Sequence, residues 1–255
     1  MQEDHFVIAS LSIIGARETQ QDTALVYERE GRLLAAVCDG MGGSEGGELA
    51  SKTAAGILRE LFQKKSAHQS YADFFRTAAD MMDEAVFKLK SKCGERLRAG
   101  TTIVAVAIEE NKMTWLSVGD SRLYITRGTE MIRATREHNY YMQIDELLAQ
   151  GKLNERQYAA ESARGESLLS YLGLGGLEII DINETPFEIV AGDRLLLASD
   201  GLYRAVDDEK IQSIVSEYGA RGATIALTSM AKKNFPETLD NTTCVIIHCI
   251  GGEKK

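Results

Sequence analysis

Strand-like and helix-like stretches come in blocks along this chain, not in strict alternation, and that order restricts the fold more than any other feature. The N-terminal part reads as strands. His5 to Ile14 is apolar-rich, and Thr23 to Tyr27 pairs with Leu33 to Cys38 across Glu28-Arg29-Glu30-Gly31-Arg32. A helix capped by Ser44 is expected to run to about Lys64, with Leu49, Thr53, Ile57 and Leu61 at helical spacing. A second is expected over Ser70 to Lys92, with Phe74, Ala78, Met81, Ala85 and Leu89 on one side. Strands return at Thr101 to Ile108, Met113 to Val118, Leu123 to Thr126 and Glu130 to Arg133. From Glu137 to Ser162 the pattern is polar and helical, with Asn154 as the cap of a short helix through Tyr158. Strands at Leu177 to Glu184 and Asp193 to Ser199, helices at Asp208 to Glu217 and Gly222 to Lys233, and a strand over Thr242 to Ile250 complete the chain. This β, α-α, β, α-α, β order suits an α+β fold, a four-layer α-β-β-α sandwich. Two antiparallel sheets would pack face to face, flanked by antiparallel helical hairpins; a doubly wound parallel sheet would need strict βαβα alternation.

The 255 residues can bury a substantial core and suit a single domain spanning 1–255. The two prolines, Pro186 and Pro236, do not divide the chain, and it contains no low-complexity stretch or internal repeat. A net charge of −9 argues against nucleic-acid binding, which needs a basic surface to release counterions. The start, Met1-Gln2-Glu3-Asp4-His5, lacks a signal-peptide pattern, and no apolar run approaches ~18 residues. The ending, Gly251-Gly252-Glu253-Lys254-Lys255, reads as natural. A cytoplasmic monomer with no membrane association is therefore expected. Cys38, Cys93, Cys244 and Cys249 lack CxxC spacing, so zinc is not expected, and all but Cys93 read as small buried hydrophobes.

Four acidic signatures carry the chemistry: Arg17-Glu18-Thr19-Gln20-Gln21-Asp22, Asp39-Gly40-Met41-Gly42-Gly43, Ala198-Ser199-Asp200-Gly201 and Asp240-Asn241-Thr242-Thr243. In each, an Asp lies at or beside the end of an apolar strand-like run, close to Gly, Asn or Thr. Hard carboxylate oxygens at strand ends suit a hard divalent cation. Five glycines between Asp39 and Gly47 permit close backbone approach, but their spacing does not give GxGxxG and no Walker lysine follows. Each Asp alone also reads as a strand-end turn residue. Together the turn reading weakens, because carboxylates gathered without a cation repel and are costly to bury.

With further elements in order, the chain resembles metal-dependent Ser/Thr protein phosphatases of the protein phosphatase 2C class in their bacterial form. Asp39-Gly40-Met41-Gly42-Gly43 resembles the family's Asp-Gly-(His or Met)-Gly-Gly, Gly100-Thr101-Thr102 its Gly-Thr-Thr, and Gly119-Asp120-Ser121-Arg122 its Gly-Asp-Ser-Arg. Leu169-Ser170-Tyr171-Leu172-Gly173 stands at its Ala-Leu-Gly element, and Asp200-Gly201-Leu202 and Asp240-Asn241-Thr242-Thr243 close the series. The resemblance implies a β-sandwich with two Mn²⁺ or Mg²⁺ ions in a cleft. Asp39 would bridge both ions with the Gly40 carbonyl on one, Asp200 and Asp240 would ligate the other, and Asp22 would hold water. Arg17 would bind the substrate phosphate, and metal-activated water would attack phosphorus directly. Asp120, with Asp200, is a candidate for a third ion; the same turn equally reads as a hairpin corner with an Asp120–Arg122 contact.

Three departures stand out. Gln21 replaces an acidic residue, Met41 replaces a His thought to act as general acid, and Thr135-Arg136-Glu137-His138-Asn139 stands where Asp-His-Ser is usual. Glu137 is expected to alter metal or flap contacts, and His138 reads either as keeping a family role or as a packing residue. Residues 137–168 correspond to a flap subdomain beside the cleft, with Lys152, Arg156 and Arg164 available to a phosphoprotein or simply solvated. The expected function is hydrolysis of phosphoserine and phosphothreonine in phosphorylated proteins, opposing a Ser/Thr kinase. The alternatives are a phosphatase dedicated to one regulatory protein, a phosphoprotein-binding pseudophosphatase and a non-protein phosphomonoesterase.

Overall fold

The computed structural model describes residues 6–251, apart from the side chain of Ser44; His5 and the terminal Gly252 to Lys255 of the sequence expectations lie outside that range. The chain opens with β1 (Phe6–Ile13), β2 (Thr23–Arg29), β3 (Arg32–Cys38) and the two-residue β4 (Gly40–Met41), then enters α1 (Gly43–Lys64) and α2 (Tyr71–Phe87). Next come β5 (Gly100–Thr101), β6 (Ile103–Glu109), β7 (Lys112–Val118), β8 (Arg122–Arg127) and β9 (Glu130–Arg133). Two polar helices follow, α3 (Tyr140–Ala149) and α4 (Glu155–Glu161). The last third holds β10 (Asp181–Ile182), β11 (Phe187–Glu188), β12 (Arg194–Ala198), α5 (Asp200–Tyr203), α6 (Asp208–Glu217), α7 (Ala220–Asn234) and β13 (Thr242–Cys249).

Two antiparallel sheets result. One runs β1-β13-β12-β8-β9 and the other β10-β7-β6-β3-β2, with β11 also on β7; β4 and β5 form a small separate ladder. The side-chain alternation of β3 explains the stacking. Leu34, Ala36 and Cys38 pack with α1 and α2, while Leu33, Ala35 and Val37 meet the other sheet. Both faces are buried, so the strand is apolar without a break, and each Leu there is worth about 2 kcal/mol. In β13, Cys244 and Ile246 likewise face the layer of α6 and α7, and Val245 and Ile247 face between the sheets. The layers are therefore helices, sheet, sheet, helices, the four-layer sandwich expected of the block order.

The helix faces differ from expectation. In α1 the buried stripe is Ala50, Ala54, Leu58 and Phe62, one position round from Leu49, Thr53, Ile57 and Leu61, and Leu49 is exposed. In α2, Phe74 and Ala78 face inward as expected, but Met82 and Val86 replace Met81 and Ala85. The small alanines let the helix approach the sheet closely, a preference that large apolar residues mask in the sequence. Gly42 takes the cap position of α1, so Ser44 falls inside its first turn. Ser70 caps α2 by accepting from the Asp73 N–H, and α2 stops at Phe87 before a tight excursion closed by a Leu97 N–H to Leu89 carbonyl bond of 2.8 Å. The strand expected over Leu177 to Glu184 shrinks to two residues, and the Asn183 side chain takes the Trp115 N–H at 2.6 Å. Asn154 caps α4 as expected, reinforced by Gln157 in a reciprocal pair of bonds. Among the described residues no helix is long and apolar enough to cross a membrane.

Candidate metal centre

Each acidic residue sits where an element begins or ends. Asp39 is the first residue beyond β3. Its carbonyl accepts from the Thr102 N–H and the Thr101 hydroxyl, both at 2.9 Å, and its N–H donates to Thr102 Oγ1 at 3.2 Å. Thr102 Oγ1 in turn lies 2.7 Å from Ser121 Oγ. The Gly-Thr-Thr and Gly-Asp-Ser-Arg elements thus brace Asp39 and Asp120 against each other. Gly40 is required by space, since a Cβ there would lie 2.1 Å from the Gly47 carbonyl oxygen. Gly119 is required by conformation, at φ +104.

Asp200 opens the one-turn helix α5, and Asp240 precedes β13. Ser199 Oγ, between β12 and α5, donates to Asp22 Oδ2 at 2.8 Å and accepts from the Thr243 N–H at 2.9 Å. Asn241 fastens the loop that carries Arg17: its Nδ2 donates to the Ile14 and Thr19 carbonyls at 2.9 and 3.0 Å, and its Oδ1 accepts from the Gln21 N–H at 2.7 Å. Arg17, Asp39, Gly40, Asp120, Asp200 and Asp240 together line one cleft of about 760 Å³, with Asp22 buried behind it. All seven residues singled out in the sequence therefore meet.

The cleft holds more negative charge than the protein neutralises. Burial pushes the Asp22 carboxyl up to about 7; its bonds to Ser199 and Thr243 oppose the rise, and the charges of Asp200 and Asp240 add to it. Burial also raises Asp39 well above the usual carboxylate range, reinforced by Asp22 and Asp200. Burial raises Asp200 as well, against the pull of Arg204, and the Asp240 charge adds to the rise. Burial and the Asp200 charge lift Asp120 to about 6, against the pull of Arg204.

Two arginines answer this charge. Arg17, at the exposed rim, donates from Nη2 to Asp240 Oδ2 at 2.5 Å. Arg204, which the sequence reading passed over, lies with Nε 3.0 Å from Asp200 Oδ2 and Nη2 3.6 Å from Asp120 Oδ2, while Nη1 donates to Glu166. Its signal in the sequence is the four-residue spacing from Asp200 along a helical turn. The hairpin-corner reading of Asp120 does not hold, because Arg122 pairs with Glu137 and stacks 3.5 Å from the Tyr203 ring centroid. Glu137 also takes Arg133 at 2.9 Å, so these ion pairs hold it. His138 is buried, with Nδ1 accepting the Gly119 N–H at 3.2 Å and Nε2 3.5 Å from Asp181, and it supports the Asp120 loop. Gln21 donates to the Gly43 carbonyl at 2.6 Å, bracing the glycine-rich turn.

The donor set fits a hard divalent cation. It consists of carboxylates and a backbone carbonyl, and Asp22 Oδ1 is buried without a hydrogen-bond partner. Among the described residues no three His, Cys, Asp or Glu side chains are gathered into a ready-made cage, so water would have to complete any shell.

Residues 12–241 match the family described as protein phosphatase 2C. Over 246 residues the chain is 28% identical to Protein phosphatase PhpP of Streptococcus pneumoniae, covering 94% of this chain and 96% of that protein. The serine/threonine phosphatase of S. agalactiae superposes with a TM-score of 0.80 at 25% identity, over 96% of this chain and 100% of that one. The catalytic domain of the serine threonine protein phosphatase PstP, in complex with two manganese ions, superposes with a TM-score of 0.75 at 25% identity, over 96% and 99%.

Proposed function

The chain belongs to the protein phosphatase 2C family, and we propose that it hydrolyses phosphoserine and phosphothreonine esters of proteins at a centre of two divalent ions. It is an enzyme of the protein-serine/threonine phosphatase class, and it depends on a divalent metal. The observation that carries the reading is the convergence of Asp22, Asp39, Asp200 and Asp240 on one cleft, with more acidity than the protein's own cations balance.

In this reading Asp39 and the Gly40 carbonyl would hold one Mn²⁺ or Mg²⁺, Asp39 with Asp200 and Asp240 would hold the other, and Asp22 would hold water behind them. Two such ions supply an activated water at neutral pH and offset charge building on the phosphoryl oxygens. Asp39 and Asp200, both raised by burial, ligate only as carboxylates, so ion affinity would rise with pH. Arg17 offers a planar fork to the phosphate from the rim, once it is free of Asp240. Met41 lines the cleft but carries no transferable proton, so the leaving alkoxide takes its proton from water. We read 1–255 as one catalytic domain, with residues 137–168 as a flap that meets the phosphoprotein, itself the product of a Ser/Thr kinase.

Hydrolysis of a phosphothreonine peptide with Mn²⁺, Mg²⁺ or EDTA, in wild type, Asp39→Asn and Asp200→Asn, tests this. Turnover that needs the ion and disappears in both variants supports it. A folded protein that binds Mn²⁺ yet turns over neither the peptide nor p-nitrophenyl phosphate overturns it in favour of a phosphoprotein-binding module.

A further inference from the structure

The guanidinium of Arg204 divides its nitrogens among three carboxylates: Nε faces Asp200 at 3.0 Å, Nη2 faces Asp120 at 3.6 Å, and Nη1 donates to Glu166. Asp120 and Asp200 are the pair from which a third divalent ion would have to draw its ligands. We propose that Arg204 fills that place permanently, so the chain binds two ions and supplies the third positive charge itself. The inference rests on the two-ion reading and adds to it a residue that positions the outer ligand, Asp200.

Three features support the assignment. Asp200 and Arg204 stand one helical turn apart on the rigid step from α5, so the guanidinium is delivered by the same element that delivers the ligand. Asp120 is buried, its backbone carbonyl accepts from Tyr203 at 3.1 Å, and Arg122, two residues along the chain, is committed to Glu137. The guanidinium remains charged at every working pH, whereas a divalent ion sharing its position would meet a like charge. Glu166 holds the third arm and ties residues 137–168 to the cleft wall. A fixed cation at this point would make Asp200 a ligand whose orientation does not depend on a loosely held ion.

Mn²⁺ stoichiometry, measured by equilibrium dialysis with electron paramagnetic resonance detection of free ion, tests this apart from activity. Wild type is expected to take up two ions per chain. Arg204→Ala and Arg204→Asp are expected to take up a third, and Arg204→Asp combined with Asp120→Asn to lose it again. Arg204→Gln, which keeps the side chain's bulk, is the variant to use if the others do not fold by circular dichroism. Three ions in wild type overturn this inference and leave the two-ion reading standing. Two ions in every folded Arg204 variant overturn it as well, whereas no ion in wild type overturns the two-ion reading itself.

Discussion

The two sides of the acidic cleft balance their charge in opposite ways. On one side Asp22 and Asp39, set against the ends of β2 and β3, have no Lys or Arg within ion-pairing distance among the described residues, and burial drives their carboxyl groups up. On the other side Asp120 and Asp200 lean on Arg204. Two carboxylates about 4 Å apart repel by about 4 kcal/mol at the effective dielectric of a partly buried site. The first side can relieve that repulsion only by taking positive charge from solution, as protons or as ions. The second carries its cation in the chain. A cleft built this way concentrates its demand for metal on Asp39.

The largest effect that tests the contrast is Asp39→Asn, which should lower kcat on a phosphothreonine peptide in saturating Mn²⁺ by about a thousandfold or more. Retention of activity within about tenfold would mean that the unbalanced side does not hold the reacting centre. The next effect is on stability in EDTA. Asp22 has a folded-state value of about 7 against 3.8 unfolded, so the folded state binds the extra proton between those limits. The contribution of Asp22 to stability is therefore full below about 4, is lost as pH rises, and is gone above about 7. Asp22→Asn should flatten that slope, and the difference between the two melting profiles isolates this residue from the other titrating groups. Saturating Mn²⁺ should stabilise the fold by about 2.7 kcal/mol for each site at a hundred times its Kd, and so raise the melting temperature. A wild-type profile that gains stability across this range relative to Asp22→Asn would contradict the balance drawn here.

The carboxylates of both sides were legible in the sequence, and the cation that balances one of them was not. Asp22, Asp39, Asp200 and Asp240 stand at or beside the ends of strand-like runs next to Gly, Asn or Thr, and strand ends are where a sandwich gathers residues from distant parts of the chain. The layer order followed from the same runs, because β3 is buried on both faces and cannot hide its apolar character. Arg204 and Glu166 have no such address. Each is a charged residue in a polar stretch, and only the fold reveals that one reaches the other. The stripes of α1 and α2 were misjudged for a related reason: Ala50 and Ala54 carry little hydrophobic weight in a sequence, yet they are where the helix meets the sheet. The two-residue strands β4 and β10 have no periodicity to read.

At the rim, the proposed phosphate-binding role of Arg17 would tie the unbalanced side to the substrate. Arg17→Ala should lower kcat/KM for a phosphopeptide by about ten- to a hundredfold, the range of one charge-assisted hydrogen-bonded pair, mainly through KM. Arg17→Lys should recover only part, since an ammonium lacks the planar fork. Because Arg17 also occupies Asp240, its removal should tighten Mn²⁺ binding while weakening substrate, so the two constants should move in opposite directions. Loosening of both would show that Arg17 organises the loop and does not compete for the carboxylate.

The smallest effect is expected at Glu166→Gln. The carboxylate is 64% exposed, so its pair with Arg204 is screened and worth at most about 1 kcal/mol. Melting temperature should change little, and Mn²⁺ stoichiometry should stay at the wild-type value because Nε and Nη2 of Arg204 keep their own partners. What should change is the order of residues 137–168: amide exchange near Glu166 should quicken while exchange around Asp200 and Asp120 does not. If exchange quickens equally at Asp200, the guanidinium depends on Glu166 for its place, and the balanced side owes its charge to the segment above the cleft and not to α5.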